Sequence, residues 1–159
     1  MVNNYTNLLL QQYGYTGDIN PDYSTPQLLQ YHIGIFGAPN CDFNFAADAA
    51  THNQQNLDLG LIIPYQWHIT HVIVECIEAV AGVADFGVSV GLVSAAENIV
   101  PYTLCAGLGS LAGSAIIPDM DNSIINRLFF GGDPTSLTWD DMASGRWLLS
   151  ILLNDFSKL

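Results

Sequence analysis

The sequence predicts an all-β protein, an antiparallel β-sandwich of jelly-roll type with an extended N-terminal arm. Three observations carry that expectation. Short runs of alternating apolar residues recur from residue 42 onward, Gly, Pro, Asn and Asp separate them, and no stretch keeps a helical period. Closely spaced strands without intervening helices build a sandwich or jelly roll, not a parallel βαβ sheet. At 159 residues the chain is long enough for one domain with its own core, and neither a linker nor an internal repeat interrupts residues 42–159.

Residues 1–41 read as the arm. They carry three prolines (Pro21, Pro26, Pro39), five tyrosines (Tyr5, Tyr13, Tyr15, Tyr23, Tyr31) and almost no charge. Prolines keep a segment extended, and tyrosines supply contact area at little ordering entropy. Thr25 and Pro26 suit the start of a single helical turn over 26–31. Such an arm either straps a neighbouring subunit or folds back over its own domain, and both arrangements stay open.

Residues 42–159 read as the sandwich domain. Asp42-Phe43-Asn44-Phe45 alternates like a half-buried strand, and Leu57–Ile63 forms the next, ending at Pro64. Trp67–Ile77 is apolar at both parities, which predicts a central strand buried on both faces. Phe86, Val88, Val90 and Leu92 share one face opposite Gly87, Ser89 and Gly91. One helical turn is expected within 93–99, then a strand at Val100–Cys105. Ile125–Phe130 alternates and runs into Gly131-Gly132-Asp133-Pro134, which reads as a tight turn. In the last strand Trp147, Leu149, Ile151 and Leu153 share a face.

Composition limits the partners. Half of the residues are hydrophobic and only 11% are charged, against about 25% in an average soluble domain. So little polar cover predicts apolar surface buried against copies of the chain or against a partner. Fifteen acids face three bases, Arg127, Arg146 and Lys158, for a net charge of −12. Nucleic acids and anionic membranes need clustered cations, so both are excluded as expected partners. No apolar run approaches the roughly 20 residues of a spanning helix, and Met1–Leu10 lacks the basic-plus-apolar pattern of a secretory leader. Cys41, Cys76 and Cys105, odd in number and without a CxxC, read as free thiols of a reducing compartment.

Chemistry finds little support. His68 and His71 lie three apart, which on a regular strand sets them on opposite faces, so they predict surface and subunit contacts and not a metal site. Asp119-Met120-Asp121-Asn122 starts like a calcium loop but lacks the later glycine and glutamate. Gly107-Leu108-Gly109-Ser110-Leu111 has the wrong order for a nucleophile elbow, and no phosphate loop exists. Asp140-Asp141 are adjacent turn residues, poorly placed to flank a scissile bond and better suited to capping. Trp67, Trp139 and Trp147 could form a sugar-stacking platform, although aromatics in such a domain more often fill core and interface. No catalytic, cofactor or metal site is expected. The contact residues expected are the five arm tyrosines, His71 and Trp139.

Several segments together resemble a family of tailed-phage virion proteins, small jelly-roll or β-sandwich subunits that decorate or cement capsids. They are Leu57-Asp58-Leu59-Gly60 followed by Ile63-Pro64, then Ile69–Glu75, Phe86–Leu92, Phe130–Thr135 and Ala143-Ser144-Gly145-Arg146-Trp147. The resemblance covers about residues 42–155. It implies a capsid decoration subunit made in the host cytoplasm, bound to the major capsid protein on the outside of the virion, and homo-oligomeric, with a trimer favoured. The alternative is a fibre- or tail-associated module that binds a receptor or carbohydrate.

Overall fold

The structure, a computed structural model, describes residues 27–47, 54–62, 67–92, 97, 99–114, 127–135 and 138–155. Two sheets pack face to face as an all-β sandwich. One has the order β2-β1-β9-β4-β7, built from Phe43–Phe45, Gln27–Ile35, Ser144–Asp155, Trp67–Ala81 and Leu111–Ser114. The other has the order β3-β8-β5-β6, built from Gln55–Ile62, Arg127–Pro134, Phe86–Gly91 and Val100–Leu104. Every pairing is antiparallel except β1 with β2, which run parallel. Among the described residues the only helical element is a 3-10 turn at Trp139–Asp141.

The core follows from period-2 patterning. Trp147, Leu149, Ile151 and Leu153 on β9 and Phe86, Val88 and Val90 on β5 are completely buried, so these two strands carry the faces their alternation predicts. Leu92 lies just past β5 and is half-buried. Aromatic rings close one end of the sandwich. Phe86 stacks on Trp147 at 4.5 Å, Phe45 packs on Trp139 at 4.8 Å, and the Trp147 indole donates to the Cys105 carbonyl at 2.8 Å. Each such ring pair adds about 0.5–1.5 kcal/mol beyond its area burial.

Four expectations change. Residues 27–35 are not arm: they form β1, between β2 and β9, with Leu29, Tyr31, Ile33 and Ile35 in the core. The helical turn over 26–31 is a strand from Gln27, because two sheet neighbours satisfy a backbone that a lone turn leaves open. The chain then doubles back over 36–42 to lay β2 parallel to β1. That return crosses Gly34, where a β-carbon would sit 2.6 Å from Ala38 and 2.7 Å from Cys41, so only glycine fits. Residues 1–26, with Tyr5, Tyr13, Tyr15 and Tyr23, lie outside the described residues.

The second change concerns β4, which is buried on one face only. Val72, Val74 and Cys76 face the core, whereas His71, Ile73 and Glu75 are exposed. Third, Gly131-Gly132-Asp133-Pro134 is no turn but the end of β8, paired with β5 from Phe86↔Pro134 to Ser89↔Gly131. Its glycines answer a need for space. A β-carbon on Gly132 would meet the Phe45 and Phe86 rings at 2.5 and 2.7 Å, and one on Gly131 would meet Gln54 and Ser89. Fourth, Leu111–Ser114 adds an unforeseen strand, β7, to the edge beside β4.

Candidate interaction surface

The outer face of the five-stranded sheet is built by the register of β1, β9, β4 and β7. Its first row across the strands is Leu28, Leu152 and His71, and its second is Gln30, Ser150, Ile73 and Gly113. The third row is His32, Leu148, Glu75 and Leu111. Gly34, Arg146 and Glu78 form the next, and His68 pairs with Asn154 at the opposite end. Leu28, Ile73 and Leu111 are 49%, 47% and 62% exposed. Leu28, His71, Ile73, Ser150 and Leu152 line a shallow hollow of about 270 Å³. A solvated sheet face normally turns polar residues outward, so Leu28, Leu152, Ile73 and Leu111, set among Gln30, Ser150, His71 and Glu75, make this face more apolar than solvation alone asks for.

Three register slips run along the β4–β9 pairing, the last between Glu78 and Ala81, and the first two shape this face. The β4–β9 register slips between Ile69 and His71, and again between Cys76 and Glu78. One extra residue reverses side-chain parity, so His68 and His71 point to the same outer face, contrary to the opposite faces their spacing predicts. Glu78 is carried outward by the second slip in the same way. Glu75 and Glu78 are the acids of β4, and Glu78 lies 3.9 Å from Arg146.

Beside the second bulge opens a cleft of about 430 Å³ lined by the 35–39 return, Glu78 and residues 142–146. Arg146 enters it next to Cys41, whose thiol is pushed up by burial and pulled back by the guanidinium. Asp42 anchors the return loop by accepting from the His32 backbone N–H at 2.7 Å. The hydrogen bonds here hold a loop together. Burial also pushes up the thiols of Cys76 and Cys105, which are unpaired and inside the core. Among the described residues, no group of three or more His, Cys, Asp or Glu side chains is placed to hold a metal ion.

The expected contact residues part company. His71 is exposed on the apolar face. Tyr31 is 7% exposed and Trp139 is completely buried, so their own domain consumes them and neither offers a contact. Trp147 is equally buried, which removes two of the three tryptophans from any sugar platform. Ser110 donates to the Gly107 carbonyl at 2.6 Å and shapes a turn, and Asp141 accepts from the Thr138 N–H and hydroxyl at 2.9 Å. The calcium-like segment 119–122 lies outside the described residues. Leu28, Ile73 and Leu111, absent from the expected contacts, were detectable only as apolar residues at the outward parity of their strands.

No family model matches the chain, and neither the curated proteins nor the solved structures include a significant match to it.

Proposed function

We propose that this chain is a non-catalytic structural subunit that works by assembly, decorating the outside of a phage capsid by binding the major capsid protein lattice. The observation that carries the assembly part is the apolar outer face of the five-stranded sheet, set in a chain with 15 acids and three bases. Such a chain has few cations to meet DNA and one sheet face with exposed apolar side chains with which to meet protein. The virion role rests on the strand motifs between residues 42 and 155. Small contacts repeated across a lattice give tight attachment through multivalency without any single strong site.

The test is direct. Purified protein mixed with undecorated shells of the host phage should bind saturably, with a fixed number of copies per shell, and should raise the temperature at which shells rupture. No binding to shells, together with binding to a glycan array, would replace decoration with the fibre or tail role.

A further inference from the structure

The exposed side of β4 reads, in order, His68, His71, Ile73, Glu75 and Glu78. The spacing is symmetric about Ile73: two residues to His71 and to Glu75, five to His68 and to Glu78. Between His68 and Glu78 the bulges keep it symmetric in space, because within that span one lies on each side of Ile73 and each restores its outer residue to the outward face. The chemistry is antisymmetric, with imidazoles on one arm and carboxylates on the other.

A strand with that pattern is complementary to itself in the antiparallel direction. We infer that two copies of this chain dock face to face through the outer side of the five-stranded sheet, β4 over β4, with a two-fold axis passing at Ile73. This rests on the assembly reading above and names its partner and register. In an isologous contact, residue i meets j and j meets i. His71 then faces Glu75 of the second copy, His68 faces its Glu78, and each pair occurs twice. Leu28 and Leu152 come to lie over the row that carries His32 and Leu148, and Ile73 meets its own copy. Aligned packing of sheets, with strands within about 30°, permits this arrangement.

Charge selects the register. An axis moved to Glu75 would place that carboxylate on itself, within a chain already at −12. Moved to His71, it would stack two imidazoles and leave Glu75 facing no donor. Only the axis at Ile73 sets each acid of β4 against an imidazole N–H while placing Ile73 on its own copy.

Sedimentation equilibrium on the full chain and three variants tests the inference. The wild-type protein should be a dimer. Ile73→Arg should be a monomer that melts at the temperature of the dissociated wild-type chain, since its side chain lies on the outer face and not in the core. His71→Glu should weaken the dimer by about tenfold by setting acid against acid. His71→Glu combined with Glu75→His swaps the arms and should restore it, which no general surface effect would do. The inference is overturned if Ile73→Arg keeps the wild-type mass or if the swap is no tighter than His71→Glu. A trimer or larger assembly indifferent to Ile73→Arg overturns the two-fold contact and leaves the assembly reading standing. A monomer that still binds shells does the same, whereas a monomer that binds none overturns both.

Discussion

The outer faces of the two sheets are covered to different degrees. On the four-stranded sheet the chain covers its central strand β5, although Leu104 on β6, outward beside Gly87, stays 54% exposed. Every residue of β5 is buried, including Gly87, Ser89 and Gly91 on the outward side. The Tyr102 ring lies across Gly87, Gln54 donates to the Ser89 hydroxyl at 2.7 Å, and Glu97 accepts from the Tyr102 backbone N–H at 3.1 Å. On the five-stranded sheet Leu28, Ile73 and Leu111 are left open to water. A chain that covers β5 with its own polar and aromatic side chains has the means to cover apolar surface. The open face carries three exposed large apolar residues, against one on the covered face.

The contrast can be broken from either side, and the core between the sheets sets the scale. Leu149→Ala removes a completely buried side chain from β9 and should cost about 2–5 kcal/mol in denaturant unfolding, because the site is walled by strands that cannot collapse into it. Gly132→Val belongs to the same range, as its side chain would have to displace the Phe45 and Phe86 rings.

On the covered face, Gly87→Ala places a methyl group on the Tyr102 ring. Tyr102 is only half-buried and can swing outward, so the loss should be smaller, about 1–2 kcal/mol, and Tyr102→Ser in the same chain should recover part of it. A result as large as that of Leu149→Ala would show this face to be core and not cover.

Alkali probes β1. Burial, and secondarily the Asp42 carboxylate, push the Tyr31 hydroxyl well above the ordinary tyrosine value near 10. The folded state thus holds the proton more tightly than the unfolded one. The stabilisation is fully present below about pH 10 and is lost as pH rises beyond it, with the buried thiols acting in the same direction from about pH 9. Melting temperature should fall across that range, and Tyr31→Phe should fall less steeply. An identical slope would mean that Tyr31 is solvated and that β1 is not the interior strand described.

On the open face the expected cost is the smallest. Ile73→Ser should change the stability of the isolated chain by less than about 0.5 kcal/mol. A loss of 2 kcal/mol or more would place Ile73 in the core and erase the difference between the two faces.

Which parts of this were legible follows from how strictly each element obeys a simple period. In β9 and β5 alternation is unbroken, and the buried faces follow from it. In β1 the alternation of Leu29, Tyr31, Ile33 and Ile35 is present, but Thr25-Pro26 imitates a helix start and the tyrosine- and proline-rich residues before it imitate a continuing arm. The short β7, Leu-Ala-Gly-Ser, buries only Ala112 among its described side chains and has little intrinsic preference for a strand. Gly131-Gly132 look like turn residues because the reason for them is a pair of rings from distant β2 and β5. The apolar face escaped for a similar reason. A one-residue bulge carries no sequence mark, yet it decides whether His68 and His71 share a side.

The measurement that tests the central claim most directly is the sedimentation of the triple variant Leu28→Ser, Ile73→Ser, Leu111→Ser against the wild-type chain. The account predicts that the wild-type chain sediments as an assembly, and that the variant sediments as a monomer which unfolds at the temperature of the dissociated wild-type chain. A variant with the same mass as the wild type would contradict it, since the open face would then serve no assembly.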